Sequence, residues 1–135
     1  MTLVDSNVLI DVMTDDPIWC EWSIAKLRQA AGDGPLVIND VIYAETSVGY
    51  PSSESAEAAL ERLRVQLVSL PRAALFLAGR AFVQYRRAGG PRTGVLSDFF
   101  IGAHAEVKRS PLLTRDARRY RHCFPTVELI TPDVN

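Results

Sequence analysis

The chain opens with Thr2-Leu3-Val4-Asp5-Ser6-Asn7, in which a short apolar strand ends directly at a carboxylate. Ser6 or Asn7 can cap the helical turn that follows. Because the strand ends of an α/β sheet meet in the crevice where such folds bind ligands, acidic residues at these places are expected to converge. Three further acids lie where a predicted strand ends or a predicted helix begins: Glu45, Asp98 and Asp116.

Four carboxylates in one crevice repel each other and raise each other's pKa unless a cation neutralises them. Glu45 shares a helical stripe with Val41, Ala44 and Val48, where a lone carboxylate is rarely tolerated without a partner. A cluster of hard oxygen ligands without histidine or cysteine favours Mg²⁺, with Mn²⁺ as the second choice. The four acids therefore predict the site of a metal-dependent phosphodiesterase.

Each acid also has an ordinary structural explanation when it is taken alone. An aspartate often forms the turn after a strand, a helical glutamate can reach solvent, and the first turn of a helix favours an anion. We favour one shared metal over four separate coincidences. Ser6, Asn7 and Thr114 are expected to orient the acids by hydrogen bonds, although turn and cap roles would explain them equally well.

Predicted strands alternate with predicted helices, which indicates one α/β domain over residues 1–135 with a parallel sheet covered on both faces. The first long helix should bury Ile18, Trp22 and Ala25. The predicted strands are Thr2–Asp5, Leu36–Asn39, Val68–Leu70, Pro111–Thr114 and Val127–Ile130. Helices are predicted to start or to be capped at Asp16-Pro17, Asp40, Ser53, Arg72 and Ser97. The clearest loop is Gly89-Gly90-Pro91-Arg92-Thr93-Gly94.

Three stretches resemble the motifs of PIN-domain ribonucleases. Val4-Asp5-Ser6-Asn7-Val8-Leu9-Ile10-Asp11 resembles the opening of that family, Asp98-Phe99-Phe100-Ile101-Gly102-Ala103-His104-Ala105 its third motif, and Leu113-Thr114-Arg115-Asp116 its fourth. Glu45 falls at the usual interval for the second motif, and the match spans essentially the whole chain. At this length the chain is most similar to the VapC-type toxins of prokaryotic toxin–antitoxin pairs.

The resemblance implies a three-layer α/β/α fold with a central parallel sheet of about five strands in the order 3-2-1-4-5. It implies a Mg²⁺-dependent endoribonuclease, the toxin of a type II toxin–antitoxin system, that cleaves RNA with metal-activated water. The catalytic and metal-binding residues would be Asp5, Glu45, Asp98 and Asp116. The family often has a further acid near the third motif, whereas that stretch holds Asp98 alone here, which leaves open whether one or two metals bind.

The resemblance also implies partners. A homodimer is expected, together with a cognate antitoxin that restrains the nuclease in a hetero-oligomer. An arginine or lysine of the antitoxin could enter among the four acids and compete with the metal. The antitoxin could also cover apolar surface near Trp19 and Trp22, unless these side chains belong to the core.

Charge is divided unevenly along the chain, although the net charge is only −1. Residues 1–61 carry eleven acidic and two basic side chains, and residues 62–135 carry five acidic and thirteen basic ones. Such segregation allows one surface to attract phosphates. The predicted RNA phosphate contacts flank the glycine-rich loop or Asp116: Arg86, Arg87, Arg92, Arg115, Arg118 and Arg119. Arg115 could instead form an ion pair within the site.

Other kinds of site are disfavoured. His104 is expected to be a packed histidine and Asp11 a structural or surface acid, and nothing supports a Ser-His-Asp or Cys-His arrangement. A phosphoacceptor receiver domain would need a lysine after the last strand, and Lys26 and Lys108 are not so placed. Two alternatives stay open: a PIN-fold RNA-processing nuclease that is not a toxin, and a non-catalytic protein that binds RNA or a partner.

The cellular compartment is expected to be the cytoplasm. The first residues fit no secretory signal, and no apolar run approaches the ~18 residues of a membrane span. Cys20 and Cys123 cannot make a disulfide framework and do not form a Cys-x-x-Cys pair.

Overall fold

A computed structural model describes residues 1–90 and 96–132, and in that part of the chain five short strands and seven helices alternate. The strands are β1 (Thr2–Val4), β2 (Leu36–Ile38), β3 (Val65–Leu67), β4 (Leu112–Leu113) and β5 (Leu129–Ile130). The helices are α1 (Ser6–Met13), α2 (Cys20–Asp33), α3 (Asp40–Ser47), α4 (Ser53–Leu63), α5 (Arg72–Arg87), α6 (Leu96–Lys108) and α7 (Arg118–Cys123). No helix within the described ranges has the length and apolar character that a membrane span requires.

All five strands are parallel and lie in the order β3-β2-β1-β4-β5, which confirms the α/β/α fold and the strand order. β1 is central and fully buried. It pairs with β2 on one side and with β4 on the other. The chain adds β2 and β3 on the first side and then crosses over to add β4 and β5 on the second, so the strand order reverses between β1 and β4. The backbone N–H of Asp5 donates to the carbonyl of Leu113 at 2.9 Å. The loops that leave β1 and β4 are therefore adjacent, at the position where such sheets bind ligands.

Three predicted helix caps were displaced by one residue. The observed caps are the residues just before the predicted ones: Asp5 for α1, Asn39 for α3 and Ser52 for α4. Each keeps an extended backbone, with φ and ψ of −69° and 151°, −114° and −177°, and −149° and 159°, respectively. A cap must be extended so that its side-chain oxygen can reach the N–H groups of the next turn. In each case the last residue before the helix still has an extended backbone, so that residue, and not the first helical residue, is the cap.

The predictions for the third strand and the first long helix were also wrong in detail. β3 is Val65–Leu67 because Arg64 ends α4 in the left-handed conformation, at φ 59°, and the strand follows at once. Asp16 does accept hydrogen bonds from the backbone of Ile18 and Trp19, but α2 begins only at Cys20. Ile18 therefore lies outside the helix and is 78% exposed. Ala25 was also predicted to be buried but is exposed, because the buried residues of α2 are Ser23, Leu27 and Ala30.

Two predictions concern the segment before α6. Leu96 already belongs to that helix, so Ser97 lies in its first turn and is not the residue that precedes it. Gly89 follows α5 with a φ of 92°, as expected for a loop glycine. The remaining four residues of the predicted loop, 91–94, lie outside the described residues, and Arg92 is among them.

An aromatic cluster packs α6 against its neighbours. The ring of Phe99 lies 5.5 Å from that of Phe82, 5.2 Å from that of Tyr85 and 5.9 Å from that of Phe124, measured between centroids. Phe124 occupies the space beside Gly102, where an added Cβ would lie 2.4 Å from the ring. Because Phe124 is fully buried, its ring has no room to retreat.

Gly102→Ala should therefore destabilise the protein by about 1–3 kcal/mol, the usual range for overpacking a core. Gly79→Ala is the matched control, because Gly79 lies in α5 with nothing within 4 Å of its added Cβ. That change should stabilise the helix by up to ~1 kcal/mol. Urea unfolding of both variants measures the difference, and equal effects would contradict the packing argument.

Candidate active site

Asp5 lies at the centre of the site, at the end of β1, and is only 4% exposed. Its Oδ1 accepts from the backbone N–H of Ser6 at 2.8 Å. Its Oδ2 accepts from the hydroxyls of Thr114 and Tyr120 at 2.8 and 2.9 Å. Burial raises the pKa of Asp5 to about 6; the hydrogen bonds from Thr114, Tyr120 and Ser6 oppose the rise, and the nearby charge of Asp98 adds to it. The charged form is therefore held at a cost that a nearby cation would relieve.

Two hydroxyl groups connect Asp5 to the next two acids. The Ser6 hydroxyl donates to Glu45 Oε1 at 2.9 Å and lies 3.4 Å from Asp5 Oδ1. The Tyr120 hydroxyl lies 3.3 Å from Asp98 Oδ1 while it contacts Asp5. Asp5, Glu45 and Asp98 come from three different elements and form one connected cluster.

Asp98 also pairs with a cation of the same chain. Arg119 donates from Nη1 to Asp98 Oδ2 in an ion pair, and both side chains are partly exposed. Burial raises the pKa of Asp98, while Arg119 opposes the rise. Asp98 therefore already has a positively charged partner in this structure.

Asp116 reaches the site differently. Its backbone N–H donates to the Thr114 hydroxyl at 3.1 Å, but its side chain is exposed. It lies on the rim of a cleft of about 510 Å³. The other residues that line this cleft are Tyr85, Arg118, Arg119 and His122. The structure thus brings three of the predicted acids together and places the fourth at the edge.

The residues predicted to orient the acids all lie against Asp5. Besides the contacts of Ser6 and Thr114, the Asn7 amide lies 3.5 Å from Asp5 Oδ2 and 3.4 Å from the Thr114 hydroxyl. Asn7 Oδ1 accepts from the backbone N–H of Arg115 at 3.1 Å. Asn7 therefore connects the loop after β1 to the loop after β4.

Tyr120 was missed by the sequence reasoning. It is buried, and burial beside Asp5 and Asp98 raises its pKa well above the usual value of 10, so its hydroxyl keeps its proton. The sequence signal was only that Tyr120 follows Asp116 by four residues, at the end of a predicted helical turn. An aromatic residue at that spacing was indistinguishable from an ordinary core residue.

The predicted phosphate-contacting arginines differ in their surroundings. Arg115 donates from Nε and Nη2 to both oxygens of the buried Asp11, at 2.8 and 3.0 Å, and lies over the Trp19 ring. Arg86 lies over the Phe82 ring, whereas Arg87 and Arg118 are exposed. Five of the six predicted arginines lie in the described part of the chain. Of these five, Arg118 and Arg119 line the cleft beside Asp116.

Asp11 was predicted to be either a structural or a surface acid, and the structure shows the structural role. It is 2% exposed and accepts from the Ser23 hydroxyl at 3.0 Å in addition to the Arg115 ion pair. These contacts join α1, α2 and the loop after β4. They hold the loop that carries Asp116 against the first helix.

His104 is a packed histidine, as predicted. It is 1% exposed, and burial lowers its pKa, so the ring is neutral. Its Nδ1 lies 3.1 Å from Asn39 Nδ2. Because Asn39 Oδ1 accepts from Val41 and Ile42 at the start of α3, the amide must donate to His104. The pair thus fixes the helix that carries Glu45 and offers no general base.

The donor set suits a hard cation but is not a closed cage. Within residues 1–90 and 96–132, no three acidic, histidine or cysteine side chains lie close enough together to hold a metal ion by themselves. Mg²⁺ commonly binds through one or two carboxylates and keeps several waters. The buried carboxylate of Asp5, with Glu45 and Asp98 joined to it through single hydroxyls, fits that mode of binding.

In metal-free buffer the pKa of Asp5 predicts a pH-dependent stability. In the folded state the Asp5 carboxyl holds its proton up to about pH 6, whereas in the unfolded state it releases the proton near pH ~4. The protonated carboxyl therefore contributes its full stabilisation below pH ~4, and this stabilisation is lost as the pH rises through 6. Two pKa units correspond to ~3 kcal/mol. The free energy of unfolding of Asp5→Asn minus that of the wild type should therefore increase by about this amount between pH 4 and pH 7. Urea titrations in EDTA measure it, and a flat difference would contradict the assignment.

Comparison with known proteins agrees with the fold and the motifs. The PIN domain family matches residues 2–125, and no curated protein sequence matches the chain. A chain in the crystal structure of VapBC2 from Rickettsia felis, bound to a DNA fragment from their promoter, is 17% identical with a TM-score of 0.76, over 98% of each chain. A chain of VapBC-1 from nontypeable Haemophilus influenzae is 19% identical with a TM-score of 0.72, over 96% of each chain. A chain of FitAcB from Neisseria gonorrhoeae is 18% identical with a TM-score of 0.69, over 98% of each chain.

At these identities the solved structures establish a common fold. The family match covers nearly the whole chain and includes Asp5, Glu45, Asp98 and Asp116. The protein belongs to the PIN domain family.

Proposed function

We propose that this protein is a Mg²⁺-dependent endoribonuclease and acts as the toxin of a type II toxin–antitoxin pair. The observation that carries the proposal is the cluster of Asp5, Glu45 and Asp98, tied together by the hydroxyls of Ser6 and Tyr120 at the switch point of the sheet. Asp5 also caps α1, but capping alone does not explain why its carboxylate is buried beside two other acids, since burying such a charge destabilises the fold. A metal-dependent nuclease uses such a cluster to hold its ion.

Asp5, Glu45 and Asp98 would hold Mg²⁺, or Mn²⁺ in its place, directly or through water, with Asp116 at the rim. The bound ion would lower the pKa of a water molecule and polarise the phosphoryl oxygen. The surrounding side chains fix the orientation of the acids: Thr114 and Tyr120 hold Asp5 Oδ2, and Ser6 holds Glu45. Such supporting hydrogen bonds are commonly worth 10–100-fold in metal affinity or activity, to order of magnitude.

RNA would approach over the cleft beside Asp116. Carboxylates alone repel a phosphodiester, so cations must lie next to them. Arg118 and Arg119 line that cleft and are the strongest candidates for phosphate contacts. Arg86 and Arg87 at the end of α5 come next, together with Arg92, which lies outside the described residues. Arg115 is the weakest candidate, because both oxygens of Asp11 occupy its guanidinium.

Cleavage of single-stranded RNA, with and without EDTA, tests the enzymatic part. We expect cleavage that stops on chelation and returns when Mg²⁺ is added in excess. A heat-inactivated sample and a mock purification from cells that lack the protein exclude contaminating nucleases. If the protein binds RNA but no divalent ion restores cleavage, the non-catalytic alternative is the better interpretation.

The toxin role is supported by the solved structures of similar fold, which include VapBC complexes and a toxin–antitoxin complex from Klebsiella pneumoniae. A bound antitoxin is expected on the same ground, and a homodimer is expected from the resemblance to VapC-type toxins. Trp19 and Trp22 are half-buried and in edge-to-face contact, with centroids 6.1 Å apart, so part of each ring is available to such a partner.

Growth arrest on expression and rescue by the product of an adjacent gene test the toxin part. The two products should purify together, and the complex should inhibit cleavage less as Mg²⁺ is raised. A protein that cleaves RNA in vitro but is harmless and finds no such partner would favour an RNA-processing nuclease.

A further inference from the structure

We propose that Arg119 is an exchangeable counter-ion, which pairs with Asp98 in the metal-free protein and transfers to a phosphate of the RNA strand once a divalent cation occupies the acidic cluster. The proposal rests on the nuclease function proposed above and adds to it a link between metal binding and RNA binding. Its first half, competition between Arg119 and the metal, can be measured without RNA.

The two oxygens of Asp98 have different partners. Oδ1 faces the Tyr120 hydroxyl at 3.3 Å, and Oδ2 accepts from Arg119. The side chains of Arg119 and Asp98 are 29% and 26% exposed, so ions from solvent can reach the pair. A divalent cation at Asp98 would meet a guanidinium at the same carboxylate, and the two positive charges repel each other. Arg119 must therefore give up Oδ2 for a cation to bind there.

The structure also provides a place for the released guanidinium. Arg119 lines the cleft of about 510 Å³ beside the acidic cluster. Its guanidinium carbon lies 5.9 Å from the centroid of the Tyr85 ring, and Tyr85 lines the same cleft. Tyr85 can thus keep the guanidinium at the cleft after Asp98 is released. Arginine presents a planar pair of donors that matches a phosphate, so the cleft is suited to a phosphodiester next to the one that is cleaved.

The exchange couples two binding events. Without a metal, Asp98 holds Arg119 and the RNA meets one cation fewer at the cleft. Without RNA, the metal must compete with Arg119 for the carboxylate. The two ligands therefore strengthen each other's binding by the same factor.

Calorimetric titration of Mn²⁺ into the full chain without RNA tests the competition. Arg119→Gln should bind Mn²⁺ about fivefold more tightly than the wild type, the upper end of what a partly exposed ion pair contributes. Arg118→Gln is the matched control, because it removes an equal charge from the same cleft and should change the affinity less than about twofold. Circular dichroism checks that both variants are folded. An Arg119→Gln affinity no higher than that of Arg118→Gln would overturn the proposal.

Binding of a single-stranded oligoribonucleotide with 2′-O-methyl groups, which resists cleavage, tests the transfer to phosphate. In Mn²⁺ the slope of log affinity against log salt should be smaller by about 0.7 for Arg119→Gln than for the wild type, as expected for one lost phosphate contact. An unchanged slope would overturn the transfer. If the wild type binds Mn²⁺ but no RNA, the nuclease proposal fails and the transfer with it, while the Mn²⁺ titration still decides the competition. If the wild type binds no divalent ion, both proposals fail.

Discussion

Asp98→Asn should abolish Mg²⁺-dependent RNA cleavage, with a loss of at least about a hundredfold in kcat/KM. The substitution keeps the size of the side chain and the contact with the Tyr120 hydroxyl, but it removes one of three charges that would hold the ion. Because loss of a residue that merely supports a metal ligand costs roughly 10–100-fold, loss of a ligand should cost no less. Initial rates on a single-stranded RNA at saturating Mg²⁺ measure the effect.

Asp40→Asn is the control for this change. Asp40 is an exposed acid in the first turn of α3, so the variant loses the same charge without touching the cluster. It should cleave RNA at the wild-type rate. The free energy of unfolding should show that Asp98→Asn is folded. Full activity of a folded Asp98→Asn protein would refute the assignment of the site.

Arg115→Ala should destabilise the protein by about 3 kcal/mol. The change removes the guanidinium that neutralises Asp11, whose carboxylate is 2% exposed and keeps the hydrogen bond from the Ser23 hydroxyl. Breaking a buried ion pair from one side commonly costs ~3–5 kcal/mol because it leaves an uncompensated charge, and the 31% exposure of the Arg115 side chain reduces that figure. Denaturant unfolding measures the loss.

Two further variants separate the buried charge from other effects. Arg118→Ala removes an exposed arginine of the same segment and should change stability by less than ~0.5 kcal/mol. Asp11→Asn in the Arg115→Ala background removes the unpaired charge and should recover much of the loss. If the double variant is no more stable than Arg115→Ala, the loss arises from packing of the guanidinium on the Trp19 ring and not from the unpaired charge of Asp11.

The sequence by itself determined the fold and predicted the four acids of the candidate site. Short apolar strands alternate with helical stripes, and this local pattern is enough for a parallel α/β sheet. The order of the strands came from the resemblance of the motifs around Asp5, Asp98 and Asp116. The same motifs predicted these three acids, because each follows a recognisable strand or lies in the first turn of a recognisable helix. Glu45 lies inside α3 and was predicted from its stripe neighbours and from its interval along the chain.

The sequence pattern predicted the ends of the helices and strands less exactly than their existence. The caps fell at Asp5, Asn39 and Ser52, one residue before the predicted positions, because backbone conformation and not residue type decides which side chain can reach the next turn. β3 begins at Val65 because Arg64 adopts a left-handed conformation. An arginine carries no sequence signal for that conformation.

Only the tertiary structure decided the partners of the charged side chains. Arg115 pairs with Asp11, 104 residues away, and Arg119 pairs with Asp98, although the sequence presents both as similar arginines beside Asp116. Tyr120 contacts Asp5 across 115 residues. Long side chains pair with whichever opposite charge or polar group lies within reach in the folded protein. The packing of α1, α6 and α7 on the sheet sets those distances. The sequence therefore specifies which charges the site contains, and the fold decides which of them are already paired with one another.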